Sequence, residues 1–211
     1  MQHREMCLNC RKARKTCYCH KLEPFYSVPL VILIHPKEAR KRINTGRMAH
    51  LSLTNSYLLE GTDFCHSPIL KKLRKAYQDR TYVLFPGPDA IPPSRIKYSP
   101  LNPENEPLFI IIDGTWSQAK KMLKANPWLD KLPQISLRPA QGSTYTIRKQ
   151  PRAECLSTIE SIHQLLAELD PNLPGLGGLL PTFHEMVSLQ LAYEKGLVYR
   201  SLKNYENISF Q

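Results

Sequence analysis

Leu108-Phe109-Ile110-Ile111-Ile112-Asp113-Gly114-Thr115-Trp116 passes, within nine positions, from five consecutive apolar residues to a carboxylate, a glycine, a hydroxyl and an indole. An apolar run without polar alternation predicts a strand covered on both faces, the habit of parallel sheets. Val28-Pro29-Leu30-Val31-Ile32-Leu33-Ile34 repeats the pattern and ends at His35-Pro36, and shorter runs follow at Thr81 to Phe85 and Gln134 to Leu137. Helical patterns lie between them. Ser67 is placed to cap a helix with Pro68 in its first turn and Leu70, Leu73 and Tyr77 on one face. Ser117 to Ala125 sets Ala119, Met122 and Leu123 at the same spacing, and Leu156, Ile159, Ile162, Leu165, Leu166 and Leu169 mark a longer amphipathic helix. A last helix is expected to start near Pro181, after a connector from Pro171 to Leu180. Strands alternating with helices predict an α/β fold whose mostly parallel sheet is flanked by helices.

In such a sheet, ligands bind beyond the carboxyl ends of the strands. Three segments fall there: His35-Pro36-Lys37-Glu38, Pro86-Gly87-Pro88-Asp89 and Asp113-Gly114-Thr115-Trp116. Asp113 has two readings. A carboxylate at the mouth of a buried strand is partly desolvated and suited to general-base work; alternatively, Asp113 caps the helix near Ser117 and Trp116 packs on it. Ser157-Thr158-Ile159-Glu160 is a capping box, and the same helix start offers backbone N–H groups to an anionic ligand. The seven prolines between Pro86 and Pro107 exclude regular structure and leave either a flap or a passive loop.

The chain has 211 residues, 42% of them hydrophobic, enough for one substantial core, and a formal net charge of +11, which favours a polyanionic partner. No apolar stretch has the length of a membrane span and none follows the polar N-terminus, so a soluble, cytoplasmic protein without membrane association is expected. Basic residues gather in two places. Lys37, Arg40, Lys41, Arg42 and Arg47 follow the first strand, and Arg138, Arg148, Lys149 and Arg152 form a second group with Tyr145 available for stacking on an unpaired base.

Four of the six cysteines fall within the first nineteen residues as Cys7-x2-Cys10 and Cys17-x-Cys19. Four thiolates around Zn2+ make a closed tetrahedral structural site, and so short a segment has too few apolar residues to fold without an ion. Free or redox-active thiols are the competing reading. Arg11, Lys12, Arg14 and Lys15 between the pairs would then stand on a pinned loop suited to phosphates. Cys65 and Cys155 are expected to be core or half-buried thiols. Residues 1–24 are thus expected to form a zinc-binding segment and 25–211 the main domain; a monomer is favoured, though the sequence does not fix the oligomeric state.

Asp113-Gly114-Thr115-Trp116 resembles the D-x-T-W signature of DTW-domain proteins. The likeness extends through His35-Pro36-Lys37-Glu38, Asn44-Thr45-Gly46-Arg47, Leu84-Phe85-Pro86-Gly87, Tyr145-x-x-Arg148-Lys149-Gln150-Pro151, Leu156-Ser157-Thr158-Ile159-Glu160 and the N-terminal cysteines, in order along nearly the whole chain. The chain therefore resembles the bacterial tRNA-uridine aminocarboxypropyltransferases of that family. The resemblance implies a knotted, SPOUT-like sheet, tRNA as partner, S-adenosylmethionine as donor, and an aminocarboxypropyl group carried to N3 of a uridine with release of methylthioadenosine. It implies a donor pocket formed by Leu84, Pro86, Gly87, Asp113, Thr115, Trp116, Leu156, Ser157 and Thr158. Asp113 would then take or polarise the N3 proton or hold the donor's ammonium. The rival expectations are a SPOUT-type methyltransferase and a non-catalytic, zinc-containing RNA-binding protein.

Overall fold

The computed structural model describes residues 5–41, 43–138 and 156–194. Five parallel strands form one sheet: β1 (Leu30–Ile34), β2 (Ser56–Glu60), β3 (Thr81–Leu84), β4 (Leu108–Asp113) and β5 (Gln134–Ile135), in the order β2-β1-β4-β3-β5. β1 and β4 lie at the centre, which is why their runs are continuously apolar: each is covered on both faces.

Side-chain alternation divides the core. Leu30, Ile32, Phe109 and Ile111 face α2 (Thr45–Ser52), α5 (Thr158–Leu169) and α6 (Leu176–Glu194). Val31, Leu33, Leu108 and Ile110 face α3 (Pro68–Tyr77) and α4 (Trp116–Ala125) on the opposite side. A short α1 (Pro36–Ala39) follows β1, with the His35 ring accepting the Lys37 N–H at 3.1 Å. The segment before β1 is not detached. Its Cys10 and Tyr18 are buried in the α2–α5–α6 core, and Lys21 pairs with Glu185 of α6.

The expected strands and helices form, with instructive departures. β2 escapes the sequence reading because Ser56-Tyr57-Leu58-Leu59-Glu60 is an edge strand, half exposed and without a β-branched residue. β5 stops at Ile135, where the Ser136 N–H turns to the Ile91 carbonyl at 3.0 Å. α6 starts at Leu176, with Pro181 inside it rather than at its start, because Leu176 and Leu179 are drawn into the core and pull the preceding turn into the helix. α4 begins at Trp116 and is capped by Thr115, whose side chain accepts the Gln118 N–H while Gln118 reaches back. Asp113 is thereby left in the strand and is not the cap. The proline-rich segment is not a free flap: Pro93 is buried, Ile91 bridges to Ile135, and Ile96 and Tyr98 pack against the core. Cys65 is exposed rather than buried, since it sits in the turn between β2 and α3. Residues 139–155, Cys155 among them, lie outside the described residues, and the expected knot is not traced by those that are described.

Candidate active site

β4 ends at Asp113, which pairs in register with Ile34 at the end of β1, while Leu84 at the end of β3 pairs with Ile111. The carboxyl ends of β1 and β4 therefore open at one level, and β3 stops two residues short of it. Asp113 is only 2% exposed there, and its oxygens are engaged from two helices. Thr158 Oγ1, in the first turn of α5, donates to Oδ1 at 2.7 Å, and Asn44 Nδ2 donates to Oδ2 at 3.1 Å. Asn44 is the cap of α2, with Oδ1 accepting the Arg47 N–H at 2.6 Å, and Nδ2 also donates to the Glu38 carbonyl at 3.2 Å. Two helix N-termini thus converge on one carboxylate, and their dipoles favour negative charge at that position.

Gly46, in the first turn of α2, presses on the same group: a Cβ there would lie 2.4 Å from Asp113 Oδ2. Neither Asn44 nor Gly46 emerged from sequence reasoning as a site residue. The available signals were an asparagine at a helix start and a glycine just inside it.

The expected donor-pocket residues come together in part. Leu84, Pro86 and Gly87 leave β3; Thr115 and Trp116 open α4 directly after Asp113; and Leu156 to Thr158 are brought to the mouth by the Thr158–Asp113 hydrogen bond. Trp116 is 45% exposed and meets Phe85 edge to face, with centroids 5.8 Å apart, which leaves part of a large flat apolar ring open at the surface. Gly87 is held close to Gln134, whose Oε1 occupies the space a Cβ would need. At α5, the Ser157 N–H and hydroxyl donate to the Glu160 carboxylate at 2.7 and 2.6 Å, which fixes the turn that carries Thr158.

The four N-terminal thiols also converge. All four sulfur atoms lie within 4.8 Å of one another, with Cys7–Cys19 at 3.7 Å and Cys10–Cys17 at 3.8 Å. A tetrahedron of metal–sulfur bonds about 2.3 Å long has edges of about 3.8 Å, so the cluster has the dimensions of a closed thiolate site. Its turn is built by Arg11 in the left-handed region (φ 57°), with the Arg11 N–H bonded to the Cys7 carbonyl at 2.9 Å and the Cys7 N–H to the Lys12 carbonyl at 2.7 Å. The Cys10 backbone N–H, followed by lesser hydrogen bonds, holds the Cys7 thiol down to about 6, whereas burial first and neighbouring thiols next raise Cys19. Such crowded sulfurs ionise together only when a cation balances them, so the residues fit a bound metal.

The basic residues divide. Lys37, Arg40 and Lys41 are exposed and Arg47 half-buried beside β1, whereas Arg138 is exposed beyond β5, at the opposite edge of the sheet. The Arg138 carbonyl accepts from Gln164 of α5 at 3.0 Å. Tyr145, Arg148, Lys149 and Arg152 lie outside the described residues. No helix among the described residues is long and apolar enough to cross a membrane.

Comparison with known proteins finds relatives along nearly the whole chain. Relatives called tRNA-uridine aminocarboxypropyltransferase 2 are 29% identical in Drosophila melanogaster, over 96% of this chain and 80% of theirs, and 32% identical in Mus musculus, over 97% and 69%. A tRNA-uridine aminocarboxypropyltransferase A of Arabidopsis thaliana is 28% identical over 91% of this chain and 83% of its own. No solved structure gives a significant match. Residues 4–191 match the DTW domain, so the chain belongs to the DTW-domain family.

Proposed function

We propose that this protein is a tRNA-uridine aminocarboxypropyltransferase using S-adenosylmethionine. The observation that carries the reading is the likeness to relatives of that name across nearly the whole chain, with Asp113 and Trp116 of its signature at the mouth of the sheet. In the transfer, the uracil N3–Cγ bond forms as the donor's Cγ–S bond breaks, and the bonding pair stays on sulfur as neutral methylthioadenosine. The N3 proton must leave. Asp113 takes or polarises it, with Thr158 and Asn44 holding the carboxylate at one angle. Orientation is the main demand, because a methyltransferase aims a different carbon of the same sulfonium at its nucleophile.

Leu84, Pro86 and Gly87, with Leu156, Ser157 and Thr158, form the adenine side of the pocket, and Thr115 and Trp116 complete it. Lys37, Arg40, Lys41, Arg47 and Arg138, together with Tyr145, Arg148, Lys149 and Arg152, serve the RNA. Cys7, Cys10, Cys17 and Cys19 hold one zinc ion, whose closed coordination makes it structural. Residues 1–24 form the zinc segment and 25–211 the catalytic domain, and the protein acts in the cytoplasm. The test is nucleoside mass spectrometry of tRNA from cells with and without the protein. Aminocarboxypropyluridine that disappears with the gene supports the reading; its persistence at every position, with no other source in the cell, refutes it.

A further inference from the structure

A cavity of about 350 Å³ lies in the seam between the cysteine segment and the β1–α1–α2 region. Arg11 and Lys12 reach it from the cysteine segment, and Arg40, Lys41 and Arg47 from the other side; among the described residues no acidic side chain lines it. Glu60 approaches Arg11 at 3.4 Å and Glu38 approaches Lys41 at 2.7 Å, so, with Lys12 left aside, four cations stand against two acids among the described residues. Neither Arg40 nor Arg47 has a salt-bridge partner among the described residues. Burial and then the charge of Arg11 lower the proton affinity of Arg47, so the two guanidinium groups repel across the gap. Lys12 is 6% exposed, with Nζ donating to Gln190 Oε1 at 2.7 Å, so one wall is rigidly placed.

Like charges gathered around a space large enough for a phosphate and its sugar form an anion site, and paired guanidinium groups match phosphate oxygens well. Asn44 also lines this cavity while donating to Asp113. An anion here would therefore lie one side chain from the carboxylate, on the side away from Trp116 and the β3 loop.

We propose that the seam clamps a single phosphodiester of the tRNA, one beside the target uridine, between Arg11 of the cysteine segment and Arg40 and Arg47 of the main domain. The proposal rests on the tRNA reading above and gives the cysteine segment a part in substrate binding. A clamp differs from two independent contacts because removing one jaw removes much of the value of the other.

The experiment compares Arg11→Gln, Arg47→Gln and the double variant, with Lys75→Gln, an exposed cation of α3 that does not line the cavity, as the control. Each is titrated with tRNA over a salt series, with S-adenosylmethionine and with inorganic phosphate. Each single variant is expected to weaken tRNA binding about tenfold and to lower the logarithmic salt slope by about one unit. The double variant should lose clearly less than the product of the single losses, Lys75→Gln should change tRNA binding less than threefold, and donor binding should be unchanged. Multiplicative losses would show separate contacts and overturn the clamp. Selective loss of S-adenosylmethionine would assign the cavity to the donor's carboxylate, and loss of inorganic phosphate binding alone would make it a site for free phosphate; both overturn it. Wild-type protein that binds and modifies tRNA, with variants equal to it, sinks the clamp alone. Wild-type protein that does not bind tRNA sinks the proposed function with it.

Discussion

A Cβ placed on Gly46 would lie 2.4 Å from Asp113 Oδ2 and 3.2 Å from Ile32 Cγ2. Gly46→Ala gains about 1 kcal/mol of helix propensity but meets an overpacking cost of about 1–3 kcal/mol. Crowding should win, so the variant is expected to melt slightly lower and, with Asp113 displaced, to turn over slower by on the order of a hundredfold. Wild-type turnover in Gly46→Ala would show that the carboxylate need not sit where it does. Asp113→Asn still accepts from Thr158 but sets an amide NH2 against that of Asn44; a loss of at least about a hundredfold is expected, the low end for a positioned base. Steady-state kinetics within a few-fold of wild type would leave Asp113 a purely structural role. Asp113 was legible in the sequence because a lone carboxylate ends an apolar run. Its partners were not, since Asn44 and Thr158 are distant in the chain and meet it only when β1 pairs with β4 and α5 packs beside them.

Helix starts carry much of the precision at the next scale. α3, α4 and α5 are capped by Ser67, Thr115 and Ser157, all residue types that cap by accepting or exchanging local hydrogen bonds; Ser67 and Ser157 were readable as caps from the residues that follow, whereas for α4 the sequence offered Asp113 instead of Thr115. Only two of these caps border the site, which gives a contrast. Ser67→Ala should cost about 1 kcal/mol in thermal or denaturant unfolding and leave turnover unchanged. Glu160→Ala removes the acceptor for both the Ser157 N–H and hydroxyl, bonds to a charged group worth about 1.5–3 kcal/mol, and should lower turnover as well because Thr158 loses its register. Equal turnover in both variants would show that the α5 start supports the fold but not the chemistry. Elements without such chemistry in the sequence were the ones misread: β2 has only its edge position to define it, and the first turn of α6 exists because Leu176 and Leu179 are buried.

For the molecule as a whole, alternation of strand and helix was enough to predict a parallel sheet, and cysteine spacing was enough to predict a metal cluster. The union of the two was not legible, because burial of Cys10 and Tyr18 against α2, α5 and α6 depends on tertiary packing. This union predicts that metal analysis will find about one zinc per chain. Stripping it with a chelator should lower the melting temperature and tRNA affinity, whereas S-adenosylmethionine, for which the pocket proposed above lies at the carboxyl ends of β3 and β4, should still bind. A chain that holds no metal when purified without chelator would contradict the zinc assignment. The account's central claim concerns which carbon of the donor is transferred, and one incubation of purified protein with S-adenosylmethionine and unmodified tRNA tests it, followed by mass analysis of both the nucleosides and the small-molecule by-product. The account predicts aminocarboxypropyluridine and methylthioadenosine in equal amounts; methylated uridine with S-adenosylhomocysteine, or no consumption of the donor, would contradict it.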